Sequence, residues 1–107
     1  MTDRKIVLTT AASREEAQRI ARALVDARDA ACVNIVGPIE SVYRWKGEVE
    51  TAAEWLLLVK TTAAAVEQVR ESLGRLHSYE LPECIEIPIE GGSAEYLAWI
   101  GDEVRSG

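Results

Sequence analysis

The segment Val33–Thr61 constrains this chain more than any other. Its second part reads Ser-Val-Tyr-Arg-Trp-Lys-Gly-Glu-Val-Glu-Thr-Ala-Ala-Glu-Trp-Leu-Leu-Leu-Val-Lys-Thr, two β-prone runs around Lys46-Gly47. A two-residue loop ending in glycine is a hairpin signal, because such turns need positive φ. The second arm, Glu48–Thr61, contains neither proline nor glycine. At about 3.3 Å per residue it reaches roughly 45 Å, whereas a folded chain of about 100 residues has a radius of gyration near 13 Å. Unless it bends, the arm overhangs its own core. An uncovered strand end is a template for association, and identical neighbours in a closed ring can cover it. The hairpin therefore predicts a homo-oligomer.

With 107 residues and 48% hydrophobic content, the chain is expected to form a single domain over 1–107, able to bury more than half of its unfolded surface without disulfides. Twelve Lys and Arg against 18 Asp and Glu leave a net charge of −6. No basic cluster interleaves with aromatics, which points away from nucleic acid and from an anionic membrane. The apolar run Trp55–Val59 is far short of a membrane span, and Met1–Lys5 opens no signal-peptide pattern, so a cytoplasmic location is expected. Cys32 and Cys84 lack Cys-x-x-Cys spacing, and a cytosolic setting favours two thiols over a disulfide.

In chain order, Lys5–Thr10 reads as a strand covered on both faces. Ser13 with Glu16 forms a capping box, and Ala17, Ile20, Ala21, Leu24 and Val25 recur at helical spacing, predicting a helix over Ser13–Arg28. Ala31–Ile35 and Ile39–Trp45 form a second strand that Gly37-Pro38 interrupts with a bulge or bend, and the proline confines it to a sheet edge. After the third strand, Thr61 or Thr62 is placed to cap a second helix whose stripe is Val66, Val69, Leu73 and Leu76, ending near His77. Ile85, Ile87 and Ile89 alternate with Cys84, Glu86, Pro88 and Glu90 as a half-buried strand, at an edge because of Pro88. Gly91-Gly92 turns the chain and Ser93 caps a last helix through Leu97, Ile100 and Val104, with Gly101 a mild weakness.

The order is thus βαββαβ plus a terminal α. With the proline-bearing strands outside and right-handed crossovers, the sheet reads 4-1-3-2 with both main helices on one face. The expected fold is an α+β ferredoxin-like sandwich.

The single histidine stands in His77-Ser78-Tyr79-Glu80-Leu81-Pro82-Glu83, where an imidazole and carboxylates suit zinc or copper. His77, Glu80 and Glu83 are the candidate metal ligands, although one imidazole is few for a tight site and His77 also serves simply to end its helix. Cys32, among alanines and valine, reads as a small buried thiol. Cys84 reads as core or half-exposed, its pKa raised by Glu83. Copper(I) would want both thiols, which the sheet order puts on opposite edges.

Tyr43 and Trp45 fall on one face of their strand, with Glu48 and Glu50 beside them across the turn. They are either the wall of a small-molecule cleft or a subunit contact. Lys60 with Thr61-Thr62 at a helix start is placed to grip an anion. No Ser/His/Asp set, phosphate loop, Cys-x-x-Cys pair or His-Glu-x-x-His helix occurs, so an enzyme is not expected.

Taken together, Ala30-Ala31-Cys32-Val33-Asn34-Ile35, Ser41–Glu48, Leu57-Leu58-Val59-Lys60-Thr61, His77–Glu83 and Tyr96-Leu97-Ala98-Trp99-Ile100 resemble the divalent-cation tolerance family CutA, in order and over nearly the whole chain. The resemblance implies a ferredoxin-like subunit in a tight homotrimer whose hairpins wrap between neighbours, in the bacterial cytoplasm or an organelle. It also implies tolerance of copper and other divalent ions. Copper ligands proposed in that family are a cysteine on the first strand and two adjacent histidines ending the second helix. Here those positions read Thr9, Leu76 and His77, so only His77 matches.

Three functions follow. The leading one is a trimer that binds copper or another divalent metal ion weakly and supports the response to metal ions, with no obligatory cofactor. The second is a signalling module resembling PII-like trimers, with an anionic metabolite between subunits against Tyr43, Trp45 and Lys60. The third is a structural trimer without a ligand.

Overall fold

The computed structural model describes residues 2–105. Four strands, β1 (Arg4–Ala11), β2 (Cys32–Trp45), β3 (Glu48–Thr62) and β4 (Ile85–Pro88), combine with helices α1 (Arg14–Asp26), α2 (Val66–Leu76) and α3 (Ala94–Glu103). All strand pairs are antiparallel in the order β2-β3-β1-β4, which is 4-1-3-2 counted from the other edge. The two proline-bearing strands are the edges, where a missing N–H removes no ladder bond.

Residue alternation assigns the two sheet faces. Val7, Ala11, Leu57 and Val59 point toward α1 and α2 and meet Ala17, Ile20, Leu24, Val66, Val69 and Leu73 in the main core. The opposite face is covered only at one end, where α3 brings Ile100 and Val104 onto Ala65. There the Arg4 guanidinium donates to the Leu97 carbonyl at 2.6 Å.

Local chemistry explains the helix limits. The Ser13 hydroxyl accepts from the Glu16 amide at 3.1 Å, as an N-cap should. The helix expected to reach Arg28 stops at Asp26, because Arg28 adopts φ 61° and the Asp29 amide turns back to the Leu24 carbonyl, a left-handed C-terminal motif. Neither expected threonine caps α2. A 3-10 turn, Ala63–Ala65, leads into it, and the Thr61 hydroxyl instead donates to the Asp29 carbonyl at 2.6 Å.

Two further expectations change. The last strand is exposed rather than half-buried, with Ile85 51% and Ile87 39% accessible, because both lie on the sheet face that α3 covers only at one end. Cys32 is half-buried rather than fully enclosed, because it sits on the outer strand.

The hairpin does overhang. The chain measures 44 × 24 × 21 Å, and its 15-residue β3 is the element long enough to account for the first dimension. Lys46 (φ 50°) and Gly47 (φ 85°) form the two-residue turn with positive φ at both positions. Side chains around it, including Val42, Tyr43, Trp45 and Val49, are exposed.

Candidate functional site: an acidic cleft beside the hairpin root

The geometry of the site begins with the bulge in β2. Val36 pairs with Leu56, but the next pair is Ile39 with Glu54, so β2 spends one more residue than β3. That extra residue inverts the alternation. Before it, Cys32, Asn34 and Val36 share the α3 side of the sheet; after it, Ile39, Ser41, Tyr43 and Trp45 do. Tyr43 pairs with Glu50 and Trp45 with Glu48, the facing that the two-residue turn predicts. At the bulge the Trp55 indole lies against Gly37, where a Cβ would stand 2.5 Å from its ring.

Opposite this wall runs the loop after α2, and it is firmly seated. The His77 side chain is fully enclosed. Its Nε2 lies 2.5 Å from the Thr10 carbonyl and must donate, while Nδ1 accepts from the Tyr79 amide at 3.1 Å. The imidazole is therefore neutral, with both nitrogens engaged. Glu16 braces the same loop by accepting from the Ser78 amide at 2.8 Å and the Ala12 amide at 3.1 Å. Burial pushes the Glu16 carboxyl up, but its hydrogen bonds from Ser78 and Ala12 outweigh that and hold it below the ordinary carboxylate range.

Between hairpin and loop lies a cleft of about 960 Å³. Tyr43, Trp45, Glu50 and Glu54 line one side, and Tyr79, Glu80, Glu83 and Cys84 the other. Tyr79 donates to Oε2 of Glu54 at 2.6 Å, and burial followed by this carboxylate raises the phenol well above its ordinary value. The Tyr43 hydroxyl reaches Oε1 of Glu50 at 3.5 Å, a marginal bond. Burial and then Glu54 raise the Glu83 carboxyl. Burial, opposed by Arg70 and aided by Glu86, Glu67 and Glu83, raises the Cys84 thiol. No lysine, arginine or histidine among the described residues lines the cleft. Its field attracts cations and repels anions.

The expected sites are only partly assembled. Tyr43, Trp45, Glu80 and Glu83 share this cleft, but His77 lies behind the loop, and among the described residues no three His, Cys, Asp or Glu side chains form a metal-ligand group. Lys60 does not join Tyr43 and Trp45 within the chain. It sits six residues beyond Glu54 on β3, roughly 20 Å along the strand, where its ammonium donates to Tyr96 Oη at 3.1 Å and lies 5.3 Å from the ring centroid. Residue-type reasoning passed over Glu54 and Tyr79 as a pair. The available signal was a lone carboxylate entering the apolar run of β3.

Comparison with known proteins agrees with this architecture. The sequence profile described as CutA1 divalent ion tolerance protein matches residues 5–103. A divalent-cation tolerance protein CutA of Thermus thermophilus is 50% identical over 96 residues, covering 90% of this chain and 93% of the relative. The chloroplastic protein CutA of Arabidopsis thaliana is 42% identical over 94% of this chain, which spans 56% of that longer protein. The crystal structure of CutA from Xylella fastidiosa superimposes with a TM-score of 0.95 at 39% identity, covering 97% of this chain and all (100%) of that one. The chain belongs to the CutA1 divalent ion tolerance protein family.

Proposed function

We propose that this protein is a cytoplasmic homotrimer supporting tolerance of divalent cations, and that it captures copper or another divalent ion weakly at the acidic cleft. The observation that carries this reading is that every charged side chain lining the cleft is a carboxylate. Glu80 and Glu83 offer oxygens at its loop side. His77 joins them only if Nδ1 first releases the Tyr79 amide, a cost that makes capture weak. Cationic capture is favoured over an anionic metabolite, because no lysine or arginine among the described residues lines the cleft and Lys60, the expected anion grip, is held at Tyr96. We assign the cleft no reaction, since its phenols and thiol are pushed away from ionisation.

The trimer is supported by what one chain leaves uncovered. Val36, Ile85 and Ile87 are exposed on the sheet face that α3 only partly reaches, and Val42 and Val49 on the overhanging hairpin. Native mass with and without one equivalent of copper(II) per chain tests both parts. A trimer that retains copper, and loses it when Glu80 and Glu83 become Gln, is the expected result. A monomer, or a trimer indifferent to copper, would refute the corresponding part.

A further inference from the structure

The Glu16 carboxylate does not take the partner that its place in the sequence assigns to it. In a capping box the glutamate three residues after the N-cap reaches back to the amide of the N-cap residue itself. Ser13 does cap α1, accepting from the Glu16 amide at 3.1 Å. The Glu16 side chain turns elsewhere: Oε1 accepts from the Ala12 amide at 3.1 Å, and Oε2 accepts from the Ser78 amide at 2.8 Å, 62 residues along the chain. Glu16 is only 5% exposed, and the one arginine near it, Arg19 at 3.8 Å, has its side chain mostly in solvent. A buried carboxylate is unfavourable unless it is hydrogen-bonded. The two amides hold Glu16 in place, and Glu16 in turn joins the start of α1 to the loop after α2.

That loop has few other supports. Between Leu76 at the end of α2 and Ile85 at the start of β4, the hydrogen bonds gather on three consecutive residues. The His77 imidazole meets the Thr10 carbonyl, the Ser78 amide meets Glu16, and Tyr79 uses its amide on His77 and its hydroxyl on Glu54. Glu80, Leu81 and Glu83 enter no hydrogen bond with another described residue, and Leu81 is 73% exposed. Glu80 and Glu83 therefore hang between the anchor at His77–Tyr79 and β4. Ser78 is the middle of that anchor, and Glu16 is its only partner outside the cleft that contributes a side chain.

We propose that Glu16 is a positioning residue for ion capture, a role that rests on the binding of the ion at Glu80 and Glu83. Without touching the ion, its carboxylate fixes the backbone at Ser78, so that both loop carboxylates face the cleft together. A slack loop would have to be ordered when the ion binds, and that entropy is lost from affinity; a braced loop is ordered beforehand.

Copper(II) titration of the full chain, combined with amide hydrogen exchange, tests the role. Glu16→Gln replaces one acceptor oxygen by a donor, so it cannot serve both amides. It should weaken copper binding about ten-fold, the lower end of what loss of an outer partner costs a metal site. The Ser78 amide should also exchange about ten-fold faster, as expected for one lost hydrogen bond. Two variants separate positioning from charge and from stability. Glu15→Gln removes the same charge from the same first turn and should change neither readout. Ser13→Ala removes the cap of α1 and should lower Tm while leaving copper binding unchanged. Should Glu16→Gln misfold, Glu16→Asp keeps the charge, shortens the reach and should show both effects in smaller degree. Copper binding by Glu16→Gln equal to wild type, or a Ser78 amide still protected in that variant, would overturn the proposal. A wild type that takes up no copper would instead refute capture at the cleft, and Ser78 exchange would still decide whether Glu16 holds the loop.

Discussion

The Tyr79 hydroxyl donates to Oε2 of Glu54 at 2.6 Å, tying the loop after α2 to the middle of β3. The contact spans 25 residues of sequence and holds the two walls of the cleft in register. Tyr79→Phe removes the donor and leaves a buried carboxylate with one partner fewer, a loss of about 1–3 kcal/mol. Thermal denaturation at fixed protein concentration should show a lower Tm than wild type. An unchanged Tm would mean that solvent already satisfies Glu54. Because burial and Glu54 raise the phenol, ultraviolet titration should find Tyr79 ionising above the ordinary tyrosine range.

Two carboxylates shift in opposite directions, and their effects on pH dependence differ in sign. Glu16 is held low in the folded state, so the unfolded chain binds its proton first. Its contribution is present above the ordinary glutamate pKa and is lost as pH falls through the folded value. Glu83 is held high, so its contribution is present below the ordinary value and is lost as pH rises toward the raised one. Glu16→Gln should therefore flatten the acid limb of the stability profile. Glu83→Gln should raise Tm at neutral pH and lose that advantage in acid. Denaturation curves across the carboxylate range decide both, and matching profiles for the two variants would contradict the assignment.

Gly37 has a stricter requirement than turn freedom. An added Cβ would stand 2.5 Å from Cδ1 of Trp55, inside contact distance of a ring packed on the core. Gly37→Ala should cost about 1–3 kcal/mol, the usual range for overpacking. If the ring is the cause, Gly37→Ala combined with Trp55→Leu should cost less than the sum of the two single changes. Strict additivity in urea denaturation would place the strain elsewhere.

Much of the architecture was legible because each element carries its own punctuation. Ser13 and Glu16 mark the start of α1, Lys46-Gly47 the turn, and Pro38 and Pro88 the edges that fix the strand order. Half of the site followed as well, since alternation brought Tyr43 and Trp45 beside Glu48 and Glu50. The rest depended on packing that residue type does not encode. His77 has the chemistry of a ligand, but backbone groups of Thr10 and Tyr79 occupy both of its nitrogens. Lys60 faces the same side of the sheet as Glu54, and only the placement of α3 shows that Tyr96 takes its ammonium away from the cleft. The α2 start was misread because Thr61 finds a better acceptor in the Asp29 carbonyl than in the helix it precedes.

Asp29 offers a final test of how the chain's last described residue is used. It is 2% exposed, with Oδ1 2.8 Å from the Arg105 guanidinium and Oδ2 3.4 Å from the Ser72 hydroxyl. Arg105 is itself half-exposed and also donates to Gln68 at 3.2 Å, while its amide bonds the Arg28 carbonyl at 2.9 Å. Solvent around Arg105 screens the pair, so its attraction alone is modest, whereas stripping the cation leaves Asp29 buried without compensation. Arg105→Ala should therefore cost about 1–3 kcal/mol, most of it the penalty of the orphaned charge. Asp29→Asn in that background should restore part of the loss, because a neutral amide needs no counter-ion. Tm values for the two single variants and the double variant form the cycle. Recovery in the double variant identifies the pair as charge compensation, and a further drop would instead make Asp29 a packing and hydrogen-bonding residue whose charge is incidental.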